Sequence, residues 1–333
     1  MKEALYWTKK EDKKVQCLLC PHNCVIGEEK NGICRIRKNE NSKLYSLTYN
    51  EFTSVGMDPI EKKPLYHFYP GSEILSFGTV GCNLRCQFCQ NWEISQQDFG
   101  EVTTRTITAD EAVRLAKTSN SVGIAYTYNE PLINYEWLLE TAQLVQKYDL
   151  KNVLVTNGYL NEEPLENLLP YIDAANIDVK SFRNEFYRKI CGGTLDAVLR
   201  TVEIMVKRKK HIELTNLLVP TLNDSEEEIE DLTDWIYALD KEIPLHFSRY
   251  YPCYKMEIPA TPLATLEKAR KIALKKLKYV YIGNVWEAEY NRTYCPNCET
   301  VLIERRGYQT EIVNLKGNSC GKCSEKINIM IHE

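Results

Sequence analysis

The chain has 333 residues, with 42 lysines and arginines against 46 aspartates and glutamates and a formal net charge of −4. That balance argues against non-specific binding to nucleic acid, which draws its affinity from an excess of cations displacing phosphate counterions. No apolar run reaches the length of a bilayer, and Met1 to Trp7 leads into charge rather than an apolar signal core, so a cytoplasmic chain without a membrane span is expected. Such a compartment keeps thiols reduced, and a chain this long buries a core without staples. Metal ligation therefore accounts for the thirteen cysteines better than disulfides do.

In chain order, residues 1–70 carry Cys17, Cys20, Cys24 and Cys34 with Gly27 and Gly32 and little sustained periodicity, and read as a small metal-supported module. Thiolate spacing leaves two occupants open there, a structural zinc and an auxiliary [4Fe–4S] cluster. His22 reads as a neighbour of that site rather than a ligand. The segment from Asp58 to Phe68 reads as a proline-bounded connection across the mouth of the next domain.

Residues 71–290 alternate short β-branched runs with amphipathic helices, the pattern a parallel sheet with crossover helices requires. Strands are predicted over 74–80, 123–127, 152–156, 174–179, 212–219, 245–250 and 280–282. Capping boxes start two of the helices, Thr108 with Glu111 and Ser225 with Glu228. The predicted fold is α/β, a partial (β/α)6-type TIM-like barrel flanked by N- and C-terminal cysteine-rich metal-binding modules; an open doubly wound sheet is the competing arrangement. Either places functional groups at the carboxyl ends of the strands.

Cys82, Cys86 and Cys89 lie just past the first of these strands. Three thiols at this spacing can hold three irons of a cubane and leave the fourth iron open, whereas structural zinc closes its coordination with four protein ligands. The bland alternative is an incomplete zinc site. Residues 291–333 form the second module, in which Cys295, Cys298, Cys320 and Cys323 have the paired spacing of a zinc ribbon or a rubredoxin-like clasp. Cys191 and Cys253 are left over and read first as buried or incidental thiols.

The Cys-x3-Cys-x-aromatic-Cys pattern, with Phe88 as the aromatic, resembles the signature of radical S-adenosylmethionine (SAM) enzymes. That resemblance implies a [4Fe–4S] cluster whose open iron takes SAM, and reductive cleavage of SAM to a 5′-deoxyadenosyl radical that abstracts hydrogen from a substrate. It also implies a flavodoxin- or ferredoxin-type electron donor. Further motifs resemble the glycyl-radical-enzyme activases: Asn129-Glu130-Pro131, Thr156-Asn157-Gly158, Asp178-Val179-Lys180 and His246. The resemblance assigns SAM contacts to Phe88, Asn129, Glu130, Thr156, Asn157, Asp178, Lys180 and His246. Val155 departs from those activases, which carry an aspartate at that place for a monovalent cation.

Over the whole chain, Cys17 to Cys24, Asp58 to Phe68 and Cys89 to Ser95 are similar to the AmmeMemoRadiSam-system radical SAM proteins, often labelled homologues of pyruvate formate-lyase activating enzyme. That similarity implies Memo-like or AMMECR-like proteins as associates. The function expected is hydrogen abstraction from an unidentified substrate, a protein glycine being one candidate. The rivals are modification of a peptide, an RNA or a small molecule with an auxiliary cluster, and a non-catalytic iron–sulfur electron carrier.

Overall fold

The computed structural model describes residues 1–332. Eight strands build one sheet: β1 (Ser54–Pro59), β2 (Glu73–Gly78), β3 (Gly123–Tyr126), β4 (Lys151–Thr156), β5 (Ala174–Asp178), β6 (His211–Leu218), β7 (Leu245–Arg249) and β8 (Val280–Gly283). They lie side by side in sequence order. All neighbours from β2 to β8 are parallel, and β1 pairs antiparallel with β2. The linear order leaves β1 and β8 as edges, so among the described residues the barrel is open.

Six helices make the crossovers: α1 (Ala109–Thr118), α2 (Tyr135–Lys147), α3 (Glu162–Leu168), α4 (Leu195–Lys207), α5 (Glu226–Leu239) and α6 (Leu263–Ala273). Because helices cover the sheet, its parallel strands are buried along most of their length; β3, Gly-Ile-Ala-Tyr, is buried at every position. Gly123 is required there, since a Cβ on it would lie 1.9 Å from the Lys151 carbonyl oxygen on β4.

The strands fall within two residues of the predicted bounds. The capping boxes form only half as read. Thr108 and Ser225 accept from the amides of Glu111 and Glu228 at 3.2 Å. The Glu228 carboxylate does not return to its own helix; it accepts from the Ser181 hydroxyl and from the Phe182 amide at 2.7 Å, anchoring the loop after β5. β1 is the other difference: it is not predicted from the sequence, and Asp58 and Pro59, the first residues of the segment expected to cross the mouth, end it. Its exposed edge leaves it half-buried without clear alternation, so the periodicity that announces a strand is missing.

Both flanking modules are docked. The N-terminal residues form two small antiparallel sheets, and Arg37 from one of them is buried against α2. Its Nη2 meets both Glu136 oxygens at 2.8 and 3.0 Å, and Nη1 donates to the Leu5 carbonyl at 3.2 Å. In the C-terminal module the buried Arg305 donates to the Tyr66 carbonyl at 2.7 Å and to Thr293 Oγ1 at 2.8 Å.

Toward the amino ends of the strands, Glu213 of β6 gathers the buried polar groups. It accepts from the His67 amide at 2.7 Å, lies 2.7 Å from His246 Nε2 and 3.2 Å from His211 Nε2. Burial would raise this carboxyl, but hydrogen bonds to His211 and His246 outweigh it and hold it far below the usual range. A depressed carboxylate contributes stability above its unfolded pKa, and that contribution is lost as pH falls through the folded value. Glu213→Gln is therefore expected to cost about 1.5–3 kcal/mol at pH 7, since the His67 amide and the two imidazoles lose a charged acceptor. The gap should narrow below about pH 4.5, which urea melts between pH 3 and 8 would measure; a gap independent of pH would show that the charge contributes nothing.

Candidate active site

The carboxyl ends of β2 to β8 and the loops leaving them enclose a cavity of about 400 Å³, within the usual range for a small-molecule site. A groove of about 590 Å³ lies elsewhere, on α6 and the segment around Tyr290. It shares no lining residue with the carboxyl-end cavity and holds no thiol.

After β2 the chain turns at Gly81, whose φ of +89° and a Cβ clash of 2.5 Å with the Cys34 carbonyl admit only glycine. Asn129 staples this turn, accepting from the Thr79 amide at 3.0 Å and donating to the Gly81 carbonyl at 2.8 Å. Asn157 donates to Asn83 Oδ1 at 2.9 Å and approaches Cys82 Sγ at 3.6 Å. The far side of the loop is held by the wide helical turn Tyr187–Cys191: the Arg85 amide donates to the Cys191 carbonyl at 2.7 Å and that of Gln87 to Ile190 at 3.1 Å. The Asn129 and Asn157 side chains and the backbone of the Tyr187–Cys191 turn thus clamp Cys82, Cys86 and Cys89 at the cavity wall.

The two leftover cysteines belong to this clamp. Burial pushes the Cys191 thiol up, so it keeps its proton for a hydrogen bond to Cys86. The same bond, with Lys180 adding to it against burial, holds the Cys86 thiol below its ordinary value. Cys253 Sγ lies 3.5 Å from the Cys89 carbonyl.

The turns after β3 and β4 are joined by Glu130. Its carboxylate is buried and accepts from Thr156 Oγ1 at 2.7 Å, the Asn157 amide at 2.8 Å and the Leu132 amide at 3.0 Å. Burial pushes it up to about 7, although these donors favour the charge. At the end of β5, Lys180 pairs with Asp178 at 2.9 Å, and its ammonium stands 6.0 Å from the centre of the Phe88 ring. Burial acts against the Lys180 charge, but Asp178 and the neighbouring sulfurs outweigh it and the lysine stays protonated.

Cys82, Cys86, Phe88, Cys89, Asn129, Glu130, Thr156, Asn157, Asp178 and Lys180 all line the one cavity. His246 does not. It is the second residue of β7, buried on Glu213 and stacked on Tyr281 with ring centres 5.1 Å apart, because the strand carries it to the layer below the carboxyl edge. Ser248, two residues further along β7, faces the cavity instead.

Lys62, Lys63, Asn91 and Tyr128 also line the cavity and were not assigned to the site from the sequence; Lys62, Lys63 and Tyr128 share a partner outside the lining, Asp58. Asp58 at the end of β1 accepts from Lys62 at 2.7 Å, from Lys63 at 2.6 Å and from the Tyr128 hydroxyl. Asn91 donates to the Tyr128 carbonyl at 2.6 Å. Tyr128 sits at φ +71°, a conformation bulky residues rarely adopt. The dense charge of Asp58 to Lys63 was the available signal.

Away from the barrel, the sulfurs of Cys295, Cys298, Cys320 and Cys323 all lie within 4.8 Å of one another, Cys295 to Cys323 at 3.5 Å and Cys298 to Cys320 at 3.7 Å. No helix among the described residues is long and apolar enough to cross a membrane.

An open parallel α/β barrel whose first carboxyl-end loop presents three thiols to a polar cavity defines a class of enzyme built around an iron–sulfur centre with one site to spare. The family model of the radical SAM superfamily matches residues 77–236, and the chain belongs to that superfamily. It is 45% identical to the uncharacterized protein MJ0808 of Methanocaldococcus jannaschii, over 99% of this chain and 100% of that one. To a pyruvate formate-lyase-activating enzyme of Staphylococcus epidermidis it is 25% identical, over 51% of this chain and 71% of that one. The crystal structure of Streptococcus suis SuiB bound to S-adenosylmethionine shares the fold, with a TM-score of 0.51 and 15% identity over 65% of this chain and 49% of that one. Membership makes the chain a radical SAM enzyme and implies a [4Fe–4S] cluster and SAM. The residues present fit both. Three clamped thiols face a cavity that also offers an ammonium, a carboxylate and the apolar walls Leu84, Val155 and Leu217.

Proposed function

We propose that Cys82, Cys86 and Cys89 hold three irons of a [4Fe–4S] cluster and that the cavity beside them binds SAM. The supporting observation is the clamped thiol loop sharing one cavity with the Asp178–Lys180 pair. When bound, the cluster and SAM supply one-electron cleavage of a carbon–sulfur bond and the hydrogen abstraction that follows. The chain supplies position. Lys180, a compact cation held by Asp178, takes the carboxylate of SAM. Asn129 and Glu130 spend most of their hydrogen-bonding capacity on the turns, so they fix the thiol loop and the β3 and β4 ends and leave at most a lone pair each for the amino group. Thr156 and Asn157 hold Glu130 in place, and Phe88 walls the site.

The reduced protein, reconstituted without oxygen, should convert SAM to 5′-deoxyadenosine; no product sinks the reading. Lys180→Ala should weaken SAM binding by about 10- to 100-fold, the worth of a charge-assisted hydrogen bond, in equilibrium dialysis against the oxidised protein. Unchanged binding would move SAM away from β5.

For the substrate, the similarity to a pyruvate formate-lyase-activating enzyme and the Asp178-Val179-Lys180 motif favour hydrogen abstraction from a backbone glycine of a partner protein. Memo-like and AMMECR-like proteins are the associates to test first, with a flavodoxin or ferredoxin as electron donor and the cytoplasm as the compartment. Val155 faces the cavity with no charge to offer, so the activases' cation site is not carried over. At the C-terminal quartet sulfurs 3.5 and 3.7 Å apart match the edge of a tetrahedron, about 3.8 Å for metal–sulfur bonds of about 2.3 Å, which supports a single four-coordinate ion, with zinc the first to test for and a rubredoxin-like iron the second.

A further inference from the structure

The wall of the carboxyl-end cavity extends beyond the residues assigned to SAM, and its charge there is of one sign. Glu130, Asp178 and Lys180 are the charged residues on the SAM side; the other charged residues of the lining are Lys62 and Lys63, both cations. They come from the segment after β1. That segment runs across the inside of the open barrel: the Pro64 carbonyl accepts from Asn176 of β5 at 2.8 Å, the Tyr66 ring packs edge-on against His246 of β7 with centres 4.7 Å apart, and the His67 amide donates to Glu213 of β6. Its course fixes where Lys62 and Lys63 stand.

Two ammoniums and a hydroxyl converge on one carboxylate. Asp58 Oδ1 accepts from Lys62 at 2.7 Å, and Oδ2 accepts from Lys63 at 2.6 Å and from the Tyr128 hydroxyl. The two cations are not equivalent. The Lys63 side chain is 1% exposed, its ammonium stands 4.6 Å from the centre of the Tyr128 ring, and with Asp58 it forms a buried pair whose charges cancel. Lys62, at 44% exposure, is the surplus charge. Asp58 takes one of the three N–H bonds of its ammonium, so a second carboxylate can approach without displacing the buried pair. Hydroxyls line the same cavity. Tyr308 sits at the turn between the strands Val301–Arg306 and Gln309–Ile312, and this hairpin is tied to the residue before Lys62 by Thr310 Oγ1, which donates to Glu61 at 2.8 Å. Ser248 Oγ accepts from the Asn284 side chain at 3.0 Å and has its own O–H to donate.

We infer that Lys62 holds a carboxylate of the substrate, with the hydroxyls of Tyr308 and Ser248 as further donors in the cavity. This deepens the reading above and rests on SAM occupying the Lys180 side. Charge selects the ligand. The surplus is one unit, which a carboxylate matches, whereas a phosphate brings more negative charge than the partly buried wall can pair. A small acid and an acidic residue beside the glycine of a partner protein share this chemistry and differ in size.

Saturation-transfer NMR on the full chain, reconstituted and oxidised, tests the inference with butyrate, butyramide and methylphosphonate as probes. With SAM saturating, butyrate should bind at least tenfold tighter than butyramide, the worth of a charge-assisted hydrogen bond, and tighter than methylphosphonate. Lys62→Gln changes an exposed side chain and leaves the Asp58–Lys63 pair in place; it should weaken butyrate about tenfold. Butyramide as tight as butyrate, methylphosphonate tighter, or a Lys62→Gln protein that binds butyrate like the wild type would each overturn the inference. Raising SAM should not displace butyrate; displacement would put the carboxylate on Lys180 and overturn it as well. The same titrations without SAM still read the Lys62 site if SAM does not bind, which separates failure of the SAM reading from failure of this one. The peptide acetyl-Gly-Glu-Gly-amide, with acetyl-Gly-Gln-Gly-amide as its neutral control, then distinguishes the sources. A glutamyl peptide that binds tighter than butyrate assigns the carboxylate to a polypeptide, and one that binds more weakly assigns it to a small acid.

Discussion

Cys86→Ala should abolish 5′-deoxyadenosine formation and strip the catalytic cluster, a loss of about four irons per chain. Two thiols cannot hold a cubane against water and chelators, and Cys86 is the buried member of the trio, beside the Cys191 thiol and the Lys180 charge. The control is the neighbouring sulfur. Cys191→Ser keeps a donor of similar size aimed at Cys86 and should retain both iron and product. Iron analysis and chromatography of the reaction mixture check the pair. If Cys191→Ser lost the cluster and Cys86→Ala kept it, the ligand would be Cys191 and Cys86 its support.

The largest loss of stability should come from Arg37→Ala, at about 3–5 kcal/mol. Arg37 and Glu136 are both buried, and their double contact at 2.8 and 3.0 Å joins the N-terminal module to α2. Removing the guanidinium leaves the Glu136 carboxylate in the interior with only the Leu5 amide, 2.8 Å away, and frees the carbonyls of Leu5 and Ile133. Urea unfolding at pH 7 measures the loss. Adding Glu136→Gln should recover part of it by discharging the stranded carboxylate. A single-variant cost below about 1 kcal/mol would mean that water reaches the pair.

Much of this site was legible in the sequence because each functional group follows a strand. Cys82, Asn129, Asn157 and Lys180 stand within four residues of the ends of β2 to β5, and a parallel sheet brings such positions to one edge wherever the helices lie. His246 was assigned to that edge by the resemblance alone, although the predicted strand already began at Leu245; as the second residue of β7 it lies one layer down. Asp58 was read as the start of a connection rather than the end of a strand because β1 is an edge strand without the alternation that marks one. Cys191 and Cys253 looked incidental because sequence separation hides their contact with Cys86 and Cys89.

The amino-acid sequence by itself determined the alternation of strand and helix, the three-thiol loop and the two quartets, since these depend on local periodicity and ligand spacing within a few turns of chain. Only the tertiary structure decided that Glu130 joins two strand ends, that Arg37 closes the N-terminal module onto α2, and that the four C-terminal sulfurs converge within 4.8 Å of one another. Those outcomes depend on distances between residues far apart in the chain. Such distances are set by how buried charges and backbone groups find partners once water is excluded.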